Sequence, residues 1–183
     1  MKRGGGMSRS HARGFTLFEL LVVTCIVAVL AVALLNRVSF YQEQAEKAAM
    51  EQVVAALQSA LTLQMASLMT GGRESEADKL TTENPMNWLA KKPANYAGEF
   101  FDPAPQAVAP GNWIFDLKSR NLIYVIDRGN FFTPGKDGVK WIRLHVNLVQ
   151  DYIPSGGGKR RRPALSGAVI EPVESYRWFD RRL

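Results

Sequence analysis

The chain has 183 residues, 46% hydrophobic, 22% charged and 10% aromatic, which suits one ordinary domain and excludes collagen-like, mucin-like and low-complexity classes. Its single cysteine, Cys25, excludes an intrachain disulfide, a two-cysteine redox centre and a cysteine-built zinc site. The 23 Lys and Arg against 17 Asp and Glu give a net charge of +6, but Lys2, Arg3, Arg9 and Arg13 precede residue 15 with no acid among them, so the basic balance is poor evidence for a nucleic-acid-binding body.

From Phe15 to Leu35, 18 of 21 residues are apolar, the exceptions being Thr16, Glu19 and Thr24. That is enough helix to cross roughly 30 Å of hydrocarbon, and a transmembrane helix is predicted over 15–36. Basic residues precede the run, whereas Arg37 and Lys47 face Glu43, Glu46 and Glu51 just after it. Positive charge stays cytoplasmic, so the carboxyl-terminal body is expected on the far side. The run does not read as a secretory signal, because Asn36, Arg37 and Val38 stand where a small-residue cleavage site would be. Glu19 also lies within it. A charge near the bilayer centre costs about 2.5–3.5 kcal/mol, so a bare anchor would gain from leucine there.

At Arg13-Gly14-Phe15-Thr16-Leu17-Phe18-Glu19-Leu20-Leu21-Val22-Val23 the chain closely resembles the class III signal of type IV pilins and type II secretion pseudopilins. In that family a prepilin peptidase cuts after the glycine on the cytoplasmic side, and the exposed first residue is N-methylated. The resemblance implies a leader over 1–14, cleavage between Gly14 and Phe15, and methylation of Phe15. The leader begins at Met1 or at Met7. It also implies an inner-membrane, single-pass subunit with a periplasmic carboxyl-terminal domain, which joins other pilins or pseudopilins through its N-terminal helix. No cofactor is implied. A glycine at position 14 lets the backbone enter a protease site closely and in extended form.

Glu19 then has a role in subunit assembly. Four residues past the new amino terminus, it lies about 6 Å along a helix axis. In a fibre its carboxylate can meet the amine of Phe15 on a neighbouring subunit, so an unpaired charge becomes paired. The alternative for the residue alone is a membrane anchor whose Glu19 snorkels outward. Many type IV pilins place a helix-kinking proline where this chain has Asn36, so no such kink is expected.

Helical periodicity continues, with Met50, Val54, Leu57, Leu61, Met65 and Leu68 on one stripe, no proline between Phe15 and Thr70, and a stop at Gly71-Gly72. One helix of about 55 residues, roughly 80 Å long, is predicted, its 37–70 part amphipathic. An irregular connector follows over 71–110, with Trp88 and Phe100-Phe101 as plugs. Strand-like runs then occupy Trp113–Leu117, Leu122–Asp127 and Val139–Val149, separated by turns at 118–121 and 133–138. In the third run Ile142, Leu144, Val146 and Leu148 share one face. The expected fold class is α+β, an antiparallel sheet over 111–183 laid on the carboxyl-terminal half of the long helix.

Residues 155–163 contain Lys159-Arg160-Arg161-Arg162 and are expected to form a mobile loop. These four cations are candidates for an anion contact, phosphates of DNA or an anionic surface, against the plainer reading of a solvated loop. A short strand is expected near 168–170, with Tyr176, Trp178 and Phe179 tucked onto the sheet or exposed as a patch.

Catalysis is not expected. His145 is the one histidine after residue 14, Cys25 lies in the membrane run, and no nucleophile-elbow or EF-hand spacing occurs. No metal or calcium site is predicted. The leading expectation is a non-catalytic minor pilin or pseudopilin; the alternatives are a pilus-tip protein contacting DNA or a surface through the basic loop, and an anchored protein that never polymerises. Minor is preferred because one cysteine cannot close the disulfide loop of many major pilins.

Overall fold

A computed structural model describes residues 15–154 and 161–179. The chain divides between Tyr41 and Gln42 into two units. Helix α1, Leu17–Thr70, belongs to both and is continuous through Asn36, where many type IV pilins carry a kink-forming proline.

Among its described residues the first unit is helix from Leu17 onward, and its apolar run is bare. Every side chain from Phe15 to Leu35 is exposed, as an apolar run with no partner in its own chain must be. Its start is capped: the Thr16 hydroxyl oxygen accepts the Glu19 N–H (3.2 Å) and the Thr16 carbonyl accepts the Leu20 N–H (3.1 Å). Thr16-x-x-Glu19 has the spacing of a capping box, and the acid in the first turn complements the positive end of the helix dipole.

In the second unit the predicted stripe packs as expected. Met50, Leu57, Leu61, Met65 and Leu68 are buried and Val54 is partly buried. The helix stops where Gly72 adopts φ +64°, with the Arg73 N–H on the Leu68 carbonyl (2.9 Å) and the Gly72 N–H on that of Met69 (3.3 Å). These two bonds are a Schellman cap, and glycine is the residue that enters the left-handed region without penalty.

The strands are β1 Tyr96–Phe100, β2 Trp113–Asp116, β3 Asn121–Val125, β4 Phe132–Thr133, β5 Trp141–Pro154, β6 Arg161–Pro172 and β7 Arg177–Trp178. Five form a sheet in the order β1-β2-β3-β5-β6, antiparallel except that β1 runs parallel to β2; β4 and β7 pair separately. The α+β class and the helix-backed, mainly antiparallel sheet therefore stand as read from the sequence.

Three features differ from expectation. The 71–110 connector is not wholly irregular: it contains the short helix α2, Asp78–Thr82, and edge strand β1. Its residues alternate half-buried and exposed, a weak signal because an edge strand packs one face only. Trp88 and Phe100 pack as plugs, whereas Phe101 is 74% exposed. Finally, β6 begins at Arg161, paired with Pro154, so Arg161, Arg162 and Pro163 are strand rather than the end of a 155–163 loop. Antiparallel pairing with β5 satisfies that backbone without apolar side chains, so hydrophobic pattern alone placed the strand too late.

The sheet is buried on both faces at β2 and β3. Trp113, Leu122 and Tyr124 join the core with α1, while Ile114, Ile123 and Val125 join Val108 in a second cluster beneath the connector. Double burial explains the unbroken apolar runs Trp113-Ile114-Phe115 and Leu122-Ile123-Tyr124-Val125.

Candidate functional site

The residues singled out by the motif lie at the start of the first unit. Phe15 is 74% exposed and precedes the helix; Leu17, Phe18, Leu20 and Leu21 continue a fully open apolar surface. Glu19 is exposed in the first turn, the one carboxylate between Phe15 and Leu35. Gly14 lies outside the described residues. Chemically, this segment is a continuous hydrophobic rod with a single negative charge close to its end, a surface that favours lipid or other apolar helices over water.

Lys159 and Arg160 lie outside the described residues, and Arg161 and Arg162 open β6 opposite Pro154 and Ile153. His145 Nδ1 lies 3.0 Å from Asn121 Oδ1 on the face of β5 away from α1. Among the described residues no three His, Cys, Asp or Glu side chains converge into a metal-binding group.

The second unit holds polar contacts that sequence reading did not assign. Glu43 is fully buried, and its carboxylate accepts the N–H groups of Asn130 (3.0 Å) and Phe131 (2.9 Å) and the indole Nε1–H of Trp178 (2.9 Å). One turn later, Glu46 accepts the backbone N–H groups of Asp127 and Arg128 (both 2.8 Å) and the Tyr124 hydroxyl (3.1 Å). Burial, then the charge of Glu46, holds the Tyr124 phenol above its ordinary range, so it remains a donor. Gln58 binds the outer edge of β6, donating to the Ala168 carbonyl (3.1 Å) and accepting the Ile170 N–H (2.9 Å). It takes two backbone groups of that edge that a neighbouring strand would otherwise pair. A signal for Glu43 was present: it lies seven residues before Met50, itself seven before Leu57, so an acid occupies a core position of the stripe.

Asp116 fixes the other end of the sheet. Its carboxylate accepts N–H groups from Asp102 (3.0 Å), Lys118 (3.0 Å) and Ser119 (3.2 Å), and the Ser119 hydroxyl. Burial pushes this carboxyl up, but the hydroxyl and the three amides outweigh it, so the group lies below the ordinary carboxylate range. A depressed folded-state value means that the stability it contributes is present above the unfolded value, near pH 4, and is lost as pH falls through the folded value. Asp116→Asn should therefore lower the thermal midpoint at pH 7 and flatten its decline between about pH 4 and pH 2. Parallel thermal melts of the two proteins across that range check this; equal slopes would remove the role given to Asp116.

Against this geometry stands the comparison with known families. Residues 9–35 match the model of the prokaryotic N-terminal methylation motif. The chain carries the type IV pilin and pseudopilin signature. No curated protein and no solved structure matches it. The pilin signature implies processing by prepilin peptidase and assembly with other pilins. With Leu17–Thr70, the one helix among the described residues that is long and apolar enough to cross a membrane, it supports membrane anchoring, and the family it marks is structural and non-enzymatic.

Proposed function

We propose that the chain is a minor pilin or pseudopilin, a structural subunit drawn from the inner membrane into a type IV pilus or a type II secretion pseudopilus. Cleavage after Gly14 leaves Phe15 as the methylated amino terminus, with residues 1–14 cytoplasmic and the sheet domain periplasmic. The observation that carries the reading is the bare helix: an apolar surface from Phe15 to Leu35, wholly unburied in its own chain, with one carboxylate at Glu19. Lipid covers that surface in the free subunit, and neighbouring helices cover it in a fibre. The charge of Glu19 supplies direction, because away from water it is stabilised when the new amine of Phe15 on an adjacent subunit lies beside it.

Mass spectrometry of the native protein tests the first step. A mature chain beginning at methylated Phe15 is expected, and Gly14→Ala should leave the leader attached. Glu19→Ala should still enter the membrane but be recovered in sheared fibres at a tenth or less of the wild-type level, the order expected from losing about 1.4 kcal/mol or more of differential stabilisation. Incorporation at wild-type levels would reject the pairing of Glu19 with the amine.

A further inference from the structure

The segment after β6 closes onto the second unit in a way the assembly reading does not use. Val173 N–H bonds the Arg143 carbonyl (2.8 Å), and Glu174 accepts Arg143 Nη2 (2.6 Å) and the Lys136 N–H (3.2 Å), which fixes where the segment leaves the sheet. Two residues of β7 then pair with the two of β4. Trp178 is buried, edge-on to Phe132 (ring centroids 5.5 Å apart), with its indole N–H on Glu43. Phe179 donates its N–H to the Phe131 carbonyl (3.2 Å) and stacks on the Phe131 ring (5.4 Å).

These contacts make a small, mutually dependent set. Glu43 takes two donors from residues 130–131 and its third from residue 178, while β4 and β7 pair only with each other. No ladder joins this pair to the five-stranded sheet. A two-stranded ribbon of two residues each is marginal by itself, and Phe179 holds φ +64°, a strained value for a bulky residue. The set is thus held by Glu43, by ring packing and by the burial of Phe132 and Trp178 against the main core more than by its own short ladder.

We infer that residues 177–179 are a latch, which when closed completes the donor set of Glu43 and orders residues 130–133, and when open releases both while the five-stranded sheet stays folded. Elements of this kind open locally at a fraction of the cost of global unfolding. The latch follows every other described element in chain order, so Glu43, near the start of the domain, receives its last donor only after all the other strands have been made. A subunit with an open latch carries a carboxylate short of a donor and a loosened loop. The meaning of the latch for assembly rests on the proposed function, whereas its existence does not.

Amide hydrogen exchange on the full chain in detergent micelles tests it, alongside Trp178→Phe and a chain stopped after Tyr176. In the stopped chain the Asn130 and Phe131 amides should exchange at least about tenfold faster, while the amides of β2 and β3 stay within about twofold of wild type. Trp178→Phe keeps a ring but removes the donor to Glu43, and should fall between the two. Unchanged exchange at Asn130 and Phe131 in the stopped chain would overturn the latch. So would equal acceleration across β2 and β3, since the segment would then be part of one cooperative core. Exchange matching wild type in Trp178→Phe would overturn the part given to the indole N–H. None of these readouts depends on leader cleavage or on fibre formation.

Discussion

Glu43→Ala should lower the thermal midpoint of the sheet domain by roughly 10 °C. The side chain is fully buried, and removing it leaves the N–H groups of Asn130 and Phe131 and the Trp178 indole N–H facing a small hole. Each buried donor left without a partner costs about 1–3 kcal/mol, so three of them cost about 3 kcal/mol or more. Water reaching part of the hole keeps the sum near the lower figure. For a domain of this size 1 kcal/mol corresponds to roughly 2–4 °C. Glu51→Ala is the control: its pair with Lys47 spans 3.6 Å with the Glu51 side chain 59% exposed, so a change under about 0.5 kcal/mol is expected. Near-UV circular dichroism melts of the full chain in detergent separate the two. A Glu43→Ala midpoint within 2 °C of wild type, a shift of about 1 kcal/mol or less, would show that the carboxylate is not the tie described.

Leu61→Ala and Leu63→Ala, two positions apart on one helix, should behave in opposite ways. Leu61 has no exposed surface and packs in the main core, whereas Leu63 is 72% exposed. Truncating a buried leucine removes transfer energy and leaves a cavity, together about 3–5 kcal/mol. The same truncation at an exposed site stays within about 0.5 kcal/mol. Urea unfolding followed by tryptophan fluorescence should show a large fall in midpoint for Leu61→Ala and almost none for Leu63→Ala. Similar effects at both sites would contradict the packing of α1. If Leu63→Ala instead leaves stability unchanged but lowers recovery in fibres, the exposed leucine serves a contact with another subunit.

The long helix, its stop and the motif at its start were legible because each is written in neighbouring residues. An apolar run of this length and the Gly71-Gly72 stop are local signals, and their physics is local: side-chain transfer and allowed φ. The inner face of β5 was legible for a related reason, since alternation at period two leaves Ile142, Leu144 and Val146 on one side. Leader, cleavage and methylation sites rest on the motif itself, which the family model matches over residues 9–35.

Other features were not legible. Strand β1 and the early start of β6 depend on a partner strand that supplies backbone hydrogen bonds regardless of side-chain pattern. Glu43 falls on the core stripe of the helix, but nothing local names its partners or those of Glu46 and Gln58, which lie roughly 80 to 135 positions away along the chain.

By itself, then, the sequence determined the membrane-type helix, its processing signature and the α+β class, because these follow from short-range periodicity and from the cost of placing charge and apolar surface in water or lipid. Only the tertiary structure decided which carboxylates are buried, that β1 lies parallel at the sheet edge, and that Trp178 returns to Glu43. A buried carboxylate is tolerable only where distant donors converge on it, and such convergence is a property of the folded chain that no local pattern encodes.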